Sequence, residues 1–318
     1  MDRIVIGTRG SKLALWQAGW VKERLQSLYP HIEVELKVIK TTGDKILDVP
    51  LSKVGGKGLF VKEIEESLLN GQSDIAVHSM KDVPSEFPDG LHLSAICQRE
   101  DPTDALVLSP KVMTSKRADK VGLDALPDGA SVGTSSLRRL CQLLNTRPDL
   151  KVTQLRGNLD TRLRKLNEGE FDAIVVASAG LKRLGFEDAS VHSLAVSVSL
   201  PAIGQGAVGI ECRIADEAIK TLLAPLNHEV TSVCVTAERA FLKKLEGGCQ
   251  VPIAAHAYFT PSNTVRLEGL VGSVDGVNII RGYAEGTVGT EEVIGTSLAE
   301  ELIKSGAKAI LDEAYGSR

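Results

Sequence analysis

Short apolar runs alternate with helical stripes along this chain, and that alternation limits the fold more than any other feature. Ile4-Val-Ile6 has the length and content of a strand. Ser11 is placed to cap the helix that follows, where Ala14, Ala18, Val21, Leu25 and Leu28 recur at helical spacing. Val34, Leu36 and Val38 alternate as a strand does. After a Gly- and Lys-rich loop at Lys53, Gly55, Gly56, Lys57 and Gly58, a second helix sets Phe60, Ile64 and Leu68 on one face. Asp74-Ile-Ala-Val-His78 reads as a strand, closed off by Pro84. Such a β-α-β-α-β run predicts a parallel-type sheet with helices on its faces.

The pattern breaks at a charged connector, Arg99 to Thr103, and residues 110–128 read as a polar loop with one short helix. A second run then begins. Ser131-Val-Gly133 is a strand end, Ser136 to Leu144 a helix, Val152 to Leu155 a strand, Asp160 to Leu166 a helix and Ala173 to Ala177 a strand. The two runs share element order without sequence repetition. From Val230 a third pattern appears: a helix with Val235, Ala237, Ala240, Phe241 and Leu245, Gly-separated alternating segments such as Val265 to Leu270, and an amphipathic helix from Ser297 to Leu311. It reads as a small α+β domain.

At 318 residues the chain is long enough for two or three domains. Hydrophobic residues at 43% and charged residues at 25% are those of a globular protein, and a net charge of -4 argues against nucleic acid as a partner. No apolar run has the length of a membrane span, and the first residues enter a strand without a signal peptide's basic and apolar regions. Five cysteines, an odd number with no Cys-x-x-Cys pair, argue against a disulfide framework or structural zinc and for a reducing cytosol. No His or carboxylate spacing calls for a metal.

Glu246-Gly-Gly-Cys-Gln-Val-Pro252 places Cys249 on a loop, since Gly-Gly and Pro so close together exclude a regular element. Taken alone, Cys249 reads either as a half-buried thiol or as an accessible one open to a bulky group. Arg9, Arg138, Arg139, Arg156, Arg162 and Arg183 each stand near a strand-to-helix junction, where free backbone N–H groups and the helix dipole favour anions. Guanidinium adds two-pronged recognition of carboxylates. Together they predict a cleft for a polyanionic ligand at the carboxyl ends of two sheets. Gly55-Gly-Lys-Gly58 fails as a phosphate loop, because Leu51 and Gly58 occupy positions that need Gly and Ser or Thr. Gly204-Gln-Gly-Ala-Val-Gly209 matches a dinucleotide fingerprint in letters only. A strand follows it where a helix is required, so it reads as a crossing between domains that brings Gln205 to the cleft. Asp82, in His78-Ser-Met-Lys-Asp82, is either a turn residue ahead of Pro84 or a lone carboxylate in an Arg-rich cleft. His78 reads as a packed strand-end residue rather than a base.

Seven segments in order carry a resemblance: Thr8-Arg-Gly-Ser-Lys-Leu-Ala-Leu, Lys53-Val-Gly-Gly-Lys-Gly-Leu-Phe, Ala76-Val-His-Ser-Met-Lys-Asp-Val-Pro84, Gly133-Thr-Ser-Ser-Leu-Arg-Arg139, Leu155-Arg-Gly-Asn158, Leu200-Pro-Ala-Ile-Gly-Gln-Gly-Ala207 and Glu246 to Pro252. Together they resemble the hydroxymethylbilane synthase, or porphobilinogen deaminase, family from first strand to last helix. The resemblance implies two binding-protein-like α/β domains flanking a cleft, residues 1–98 with 201–225 and residues 104–200. A C-terminal α+β domain, 229–318, carries the cysteine.

It further implies a transferase of haem and chlorophyll precursor synthesis, cytoplasmic and monomeric, with porphobilinogen as substrate. Four units are joined head to tail, with loss of ammonia, on a dipyrromethane held by Cys249 through a thioether; the product is hydroxymethylbilane. In this reading Asp82 is a buried catalytic carboxylate that steadies the cation formed as ammonia leaves. Lys81, Asp82, Ser136, Arg138, Arg139, Arg162 and Arg183 hold the cofactor. Arg9, Ser11, Gln17, Arg156, Arg162 and Gln205 meet the substrate, and residues 53–58 form a mobile cover. The growing chain is a ladder of carboxylates, which accounts for many arginines in an acidic protein. The rival reading is a non-catalytic two-lobed protein that binds a polycarboxylate, which leaves Cys249 and the third domain without a role. A thiol-redox enzyme would need a resolving cysteine near Cys249, and the sequence has none there.

Overall fold

A computed structural model describes residues 1–45, 61–115, 117, 119–247 and 251–316. In chain order the first part comprises β1 (Arg3–Thr8), α1 (Lys12–Leu28), β2 (Glu33–Val38), α2 (Thr42–Lys45), α3 (Lys62–Leu69), β3 (Ile75–Ser79) and β4 (Leu91–Ile96). Next come β5 (Asp104–Leu108), α4 (Pro110–Met113), β6 (Ser131–Gly133), α5 (Leu137–Thr146), β7 (Lys151–Thr153), α6 (Leu159–Asn167), β8 (Ala173–Ala177), α7 (Ser178–Arg183) and β9 (Val191–Leu194). After β10 (Val208–Arg213) and α8 (Glu217–Leu223), the chain finishes with α9 (Glu229–Lys244), β11 (Ile253–Phe259), β12 (Val265–Gly272), β13 (Ile279–Gly286), α10 (Glu291–Leu302) and α11 (Lys308–Gly316).

These strands form three sheets, ordered β2-β1-β3-β10-β4, β7-β6-β8-β5-β9 and β11-β12-β13. The first two share one plan. Three strands run parallel, and the fourth, β10 or β5, lies antiparallel to both of its neighbours. The parallel-type sheet expected of the β-α-β-α-β run is present in β2-β1-β3, and the complete sheet is a mixed one. The cause is topological: each antiparallel strand enters just after a segment that crosses from the other sheet, 99–103 ahead of β5 and 199–207 ahead of β10. Both are covered on both faces, and every residue of β5 is buried, as an inner strand requires.

Ser11 caps α1 as expected, accepting from the Ala14 amide at 3.3 Å. Ala18, Val21 and Leu25 of its stripe are fully buried against Ile4, Ile6, Ile75 and Val77, while Leu28, at the helix end, is exposed. On the opposite face of that sheet, Ile64 and Leu68 of α3 pack on Ala76 and Leu91. In the third sheet, Phe241 of α9 and Leu298 of α10 fill the core with Leu267 and Val271. The single amphipathic helix expected over 297–311 is divided. Gly306 takes a φ of 104°, in the left-handed region, and a wide turn over 303–307 separates α10 from α11.

Candidate active site

Asp82 ends a tight 3-10 turn, Met80–Asp82, directly after β3. The turn is pinned from below. The Met80 amide donates to Ala207 O at 3.0 Å, and the Met80 side chain is 1% exposed. That fit depends on glycine: a Cβ at Gly209 would lie 2.3 Å from Met80 Sδ, and one at Gly204 would lie 2.8 Å from Met80 Cβ. Val83 is also buried, so Asp82 sits between two anchored neighbours. Its carboxylate is exposed rather than buried, which corrects the sequence expectation. The turn aims it outward into a cleft of about 80 Å³, lined also by Arg9, Ser11, Gln17, His78 and Ser79. Gln17 is 2% exposed and its amide nitrogen meets Ser79 Oγ at 3.0 Å.

From the second sheet come Arg139 and Arg162. Arg162 is half-buried, and its Nε donates to Gly157 O at 2.8 Å. Gly157, at φ 111°, makes the bend ahead of Asn158, whose side chain caps α6. Desolvation lowers the Arg162 guanidinium to about 10, Arg139 adds to the fall, and Asp82 opposes it. Desolvation likewise lowers the Lys81 ammonium to about 8, opposed by Asp82 and Asp104 and assisted by Arg139 and Arg138. Lys81, Arg139 and Arg162 therefore share one field with Asp82, in which positive charge is under-compensated. Such a site favours an incoming anion.

Arg138 and Arg139 are directed elsewhere as well. Both are 5% exposed and converge on Asp104, which is 0% exposed and opens β5. Arg138 reaches Asp104 Oδ2 at 2.7 Å, and Arg139 uses Nε and Nη2 on Oδ1 at 2.9 and 2.7 Å. Arg138 also donates to Leu200 O and Arg139 to Val175 O. Ser199 Oγ at 2.7 Å and Gln205 Nε2 at 3.0 Å complete the shell. Although burial pushes the Asp104 carboxyl up, the two arginines pull it well below the usual carboxylate range. Gln205 also donates to Pro102 O at 2.7 Å and is 1% exposed. It joins the two crossing segments rather than presenting its amide nitrogen to the cleft.

Arg183 stands at the last residue of α7, not at a helix start as the sequence suggested. Its Nη2 donates to Gly206 O at 2.7 Å, and the guanidinium lies 5.6 Å from the Trp16 ring centroid. Ser136 occupies the N-cap position of α5 without a side-chain capping bond. Arg156 lies half-buried between β7 and α6. Lys53, Gly55, Gly56, Lys57, Gly58 and Cys249 lie outside the described residues.

The sequence reading also missed a buried acid–base group on the α3 face of the first sheet. His78 Nε2 lies 2.9 Å from Glu211 Oε2 on β10, with both side chains under 5% exposed. Burial and the Glu211 charge raise the neighbouring Glu65 carboxyl to about 7, with His78 opposing. Spacing gave no hint of the pair, since 133 residues separate its members. Asp104 did leave a signal: a carboxylate directly ahead of Ala-Leu-Val-Leu, a run that must be buried. Among the described residues no group of His, Cys, Asp and Glu is arranged to hold a metal.

Two α/β sheets linked by paired crossings and a third sheet-and-helix unit define an α/β protein of two sheet domains with an added C-terminal module. The chain belongs to the porphobilinogen deaminase family. Residues 4–221 match the model described as porphobilinogen deaminase, dipyromethane cofactor binding domain, and residues 232–304 match its C-terminal domain. The porphobilinogen deaminase of Trichlorobacter lovleyi is 54% identical, covering 98% of this chain and 97% of the relative. That of Geobacter sulfurreducens is 53% identical over 99% of this chain and 96% of its own. That of Geobacter metallireducens is 56% identical over 98% and 94%. Membership makes the chain a transferase of tetrapyrrole biosynthesis with dipyrromethane as its cofactor.

Proposed function

We propose that this cleft joins four porphobilinogen units head to tail, releasing ammonia at each addition, on a dipyrromethane held by Cys249. The observation that carries the reading is the outward-facing Asp82 carboxylate, which offsets the desolvation of two cations, Lys81 beside it on the first sheet and Arg162 from the second domain. Dipyrromethane and porphobilinogen both bear acetate and propionate groups, so the site's excess positive charge fits them. When bound, the cofactor supplies the ring carbon that receives the first unit. Lys81, Ser136 and Arg162 hold its carboxylates, while Arg138 and Arg139, held on Asp104, add their charge to the field. Arg9, Ser11, Gln17 and Arg156 take those of the arriving substrate.

Asp82 has the chemistry for the reacting centre. As the C–N bond breaks and ammonia departs, positive charge develops on the substrate's pyrrole ring. A carboxylate held by an anchored turn stabilises that charge without having to reorganise. Its exposure means that substrate itself excludes water from it, strengthening the interaction as the cleft fills. Arg183 and Gln205 support the crossings in this reading.

Three domains follow the three sheets, residues 1–98 with 201–225, 104–200 and 229–318. The reading takes the working unit to be a cytosolic monomer. Among the described residues no helix is long and apolar enough to cross a membrane. A non-catalytic polycarboxylate binder is not favoured, because the family matches extend through the third sheet as well as the cleft.

The test is intact mass. Purified protein should exceed its sequence mass by two linked pyrrole units, and Cys249→Ser should lack the excess. A bare-chain mass in active protein would overturn the reading.

A further inference from the structure

Helix α9 meets the Asp82 turn through one face. Val235 and Arg239 are four residues apart and Glu238 lies between them, so all three project to the same side. Val235, 0% exposed, packs with Met80 and Val83, the two neighbours that anchor Asp82. Arg239 grips the backbone just beyond: Nη2 donates to Pro84 O at 2.7 Å and Nη1 to Val83 O at 3.3 Å. Its guanidinium lies 5.5 Å from the Phe87 ring centroid. Among the described residues Arg239 pairs with carbonyls and this ring and with no carboxylate. Glu238 ties the helix to other segments. It accepts from both Nη atoms of Arg99 at 2.7 Å, from the Gly204 amide at 2.7 Å and from the Ala257 amide at 2.8 Å. The helix is thus tied to the crossings, to the third sheet and to the turn. It ends at Lys244, five residues ahead of Cys249 in the sequence.

We propose that Arg239 is a positioning residue: it fixes the Asp82 turn against α9, and so sets the Asp82 carboxylate at the reacting centre. The inference rests on the role given above to Asp82. A planar fork with several donors suits the task, since one side chain can hold adjacent carbonyls and stack on a ring at once. A turn held only by the first sheet would move with that sheet and not with α9.

The experiment uses full-length, cofactor-loaded protein and compares Arg239→Met, Arg239→Lys, Asp82→Asn and the Asp82→Asn/Arg239→Met pair. Intact mass checks the bound dipyrrole, and thermal melting checks the fold. Arg239→Met should keep the dipyrrole and a KM within about twofold, yet lose roughly tenfold to a hundredfold in kcat, the scale of a small misplacement at a reacting centre. Arg239→Lys, which keeps the stem and one donor group, should fall between; it carries the test if the Met variant does not fold. Hydrogen exchange should rise over residues 80–87 in both. In the Asp82→Asn background the further kcat loss from Arg239→Met should largely vanish, because the two act as one unit. Additive losses, unchanged exchange over 80–87 or wild-type kcat in the Arg239 variants would overturn the inference while leaving Asp82 in place. Wild-type turnover in Asp82→Asn would instead remove the catalytic reading of Asp82, and the inference with it.

Discussion

Arg138 closes on Asp104 with both terminal nitrogens, Nη1 to Oδ2 at 2.7 Å and Nη2 to Oδ1 at 3.1 Å, in a place where neither residue is more than 5% exposed. The contact joins α5 to the strand that enters the second sheet from the first crossing. Ser199, on the second crossing, shares the same carboxylate. One acid therefore ties both crossings to α5.

Arg138→Leu and Arg139→Leu should destabilise the fold as well as weaken ligand binding. Each leaves a buried carboxylate short of a partner, and breaking such a pair costs about 3–5 kcal/mol. Urea unfolding of the two variants should show a matching fall in midpoint. Unchanged midpoints in both would mean that the Asp104 hub is dispensable.

Arg162→Leu should behave in the opposite way. Burial and Arg139 already disfavour its charge, so removing it relieves repulsion and leaves stability near the wild-type value. Carboxylate binding should weaken by roughly 2–5 kcal/mol, the range for losing a desolvated charged partner. The check is dipyrrole loading and KM beside a urea curve. A variant that loads normally but unfolds easily would place Arg162 in the scaffold instead of the site.

Asp82→Asn preserves the shape of the turn and removes the charge. With Met80 and Val83 buried on either side, the fold should not change, while kcat should fall at least about a hundredfold. Asp82→Glu should retain more activity than Asn, having kept the charge and shifted it. Steady-state kinetics on loaded protein decides the matter; an Asn variant more active than the Glu variant would contradict an electrostatic role.

Glu65 gives a pH signature in stability. Its folded-state pKa is raised from 4.5 to about 7, so the folded protein holds that proton more tightly than the unfolded chain does. The associated stability is present below about pH 4.5 and is lost as pH rises toward 7. Glu65→Gln, which mimics the protonated form, should match wild type at about pH 4 and exceed it at about pH 8 by on the order of 1–3 kcal/mol. Urea unfolding at the two pH values measures the difference, and an equal gap at both would show that Glu65 is not the group responsible.

Much of the scaffold was legible because it is local. Ala173–Ala177 is an apolar run closed by Ser178, and Ser11 ahead of a helical stripe is a complete helix start. The Asp82 turn was legible for the same reason, since an apolar strand followed closely by Pro leaves one short turn between them. What depends on distant partners was not. Arg138 and Arg139 look like anion-binding residues at a helix start until Asp104, more than thirty residues earlier, is found beneath them. His78 looked inert because Glu211 approaches it only through the antiparallel pairing of β10 with β3. The direction of β5 and β10 was hidden likewise, because an inner strand has the same apolar content whichever way it runs.

That placement of β10 also governs the order in which the protein can be made. Strands β3 and β4 are not bonded to each other; β10 lies between them. A ribosome that has released residues 1–98 has delivered a sheet with a slot in it, two open strand edges facing a gap that residues 208–213 alone can fill. The second sheet draws all its strands from one continuous stretch, residues 104–194, and can close while the first still waits. The nascent chain therefore carries unpaired edges, a hazard for aggregation, through the whole synthesis of its second half-cleft. The last piece needed to complete the first sheet arrives on the same crossing that brings Gln205 to Asp104, so closing that sheet and locking the two lobes together become one event.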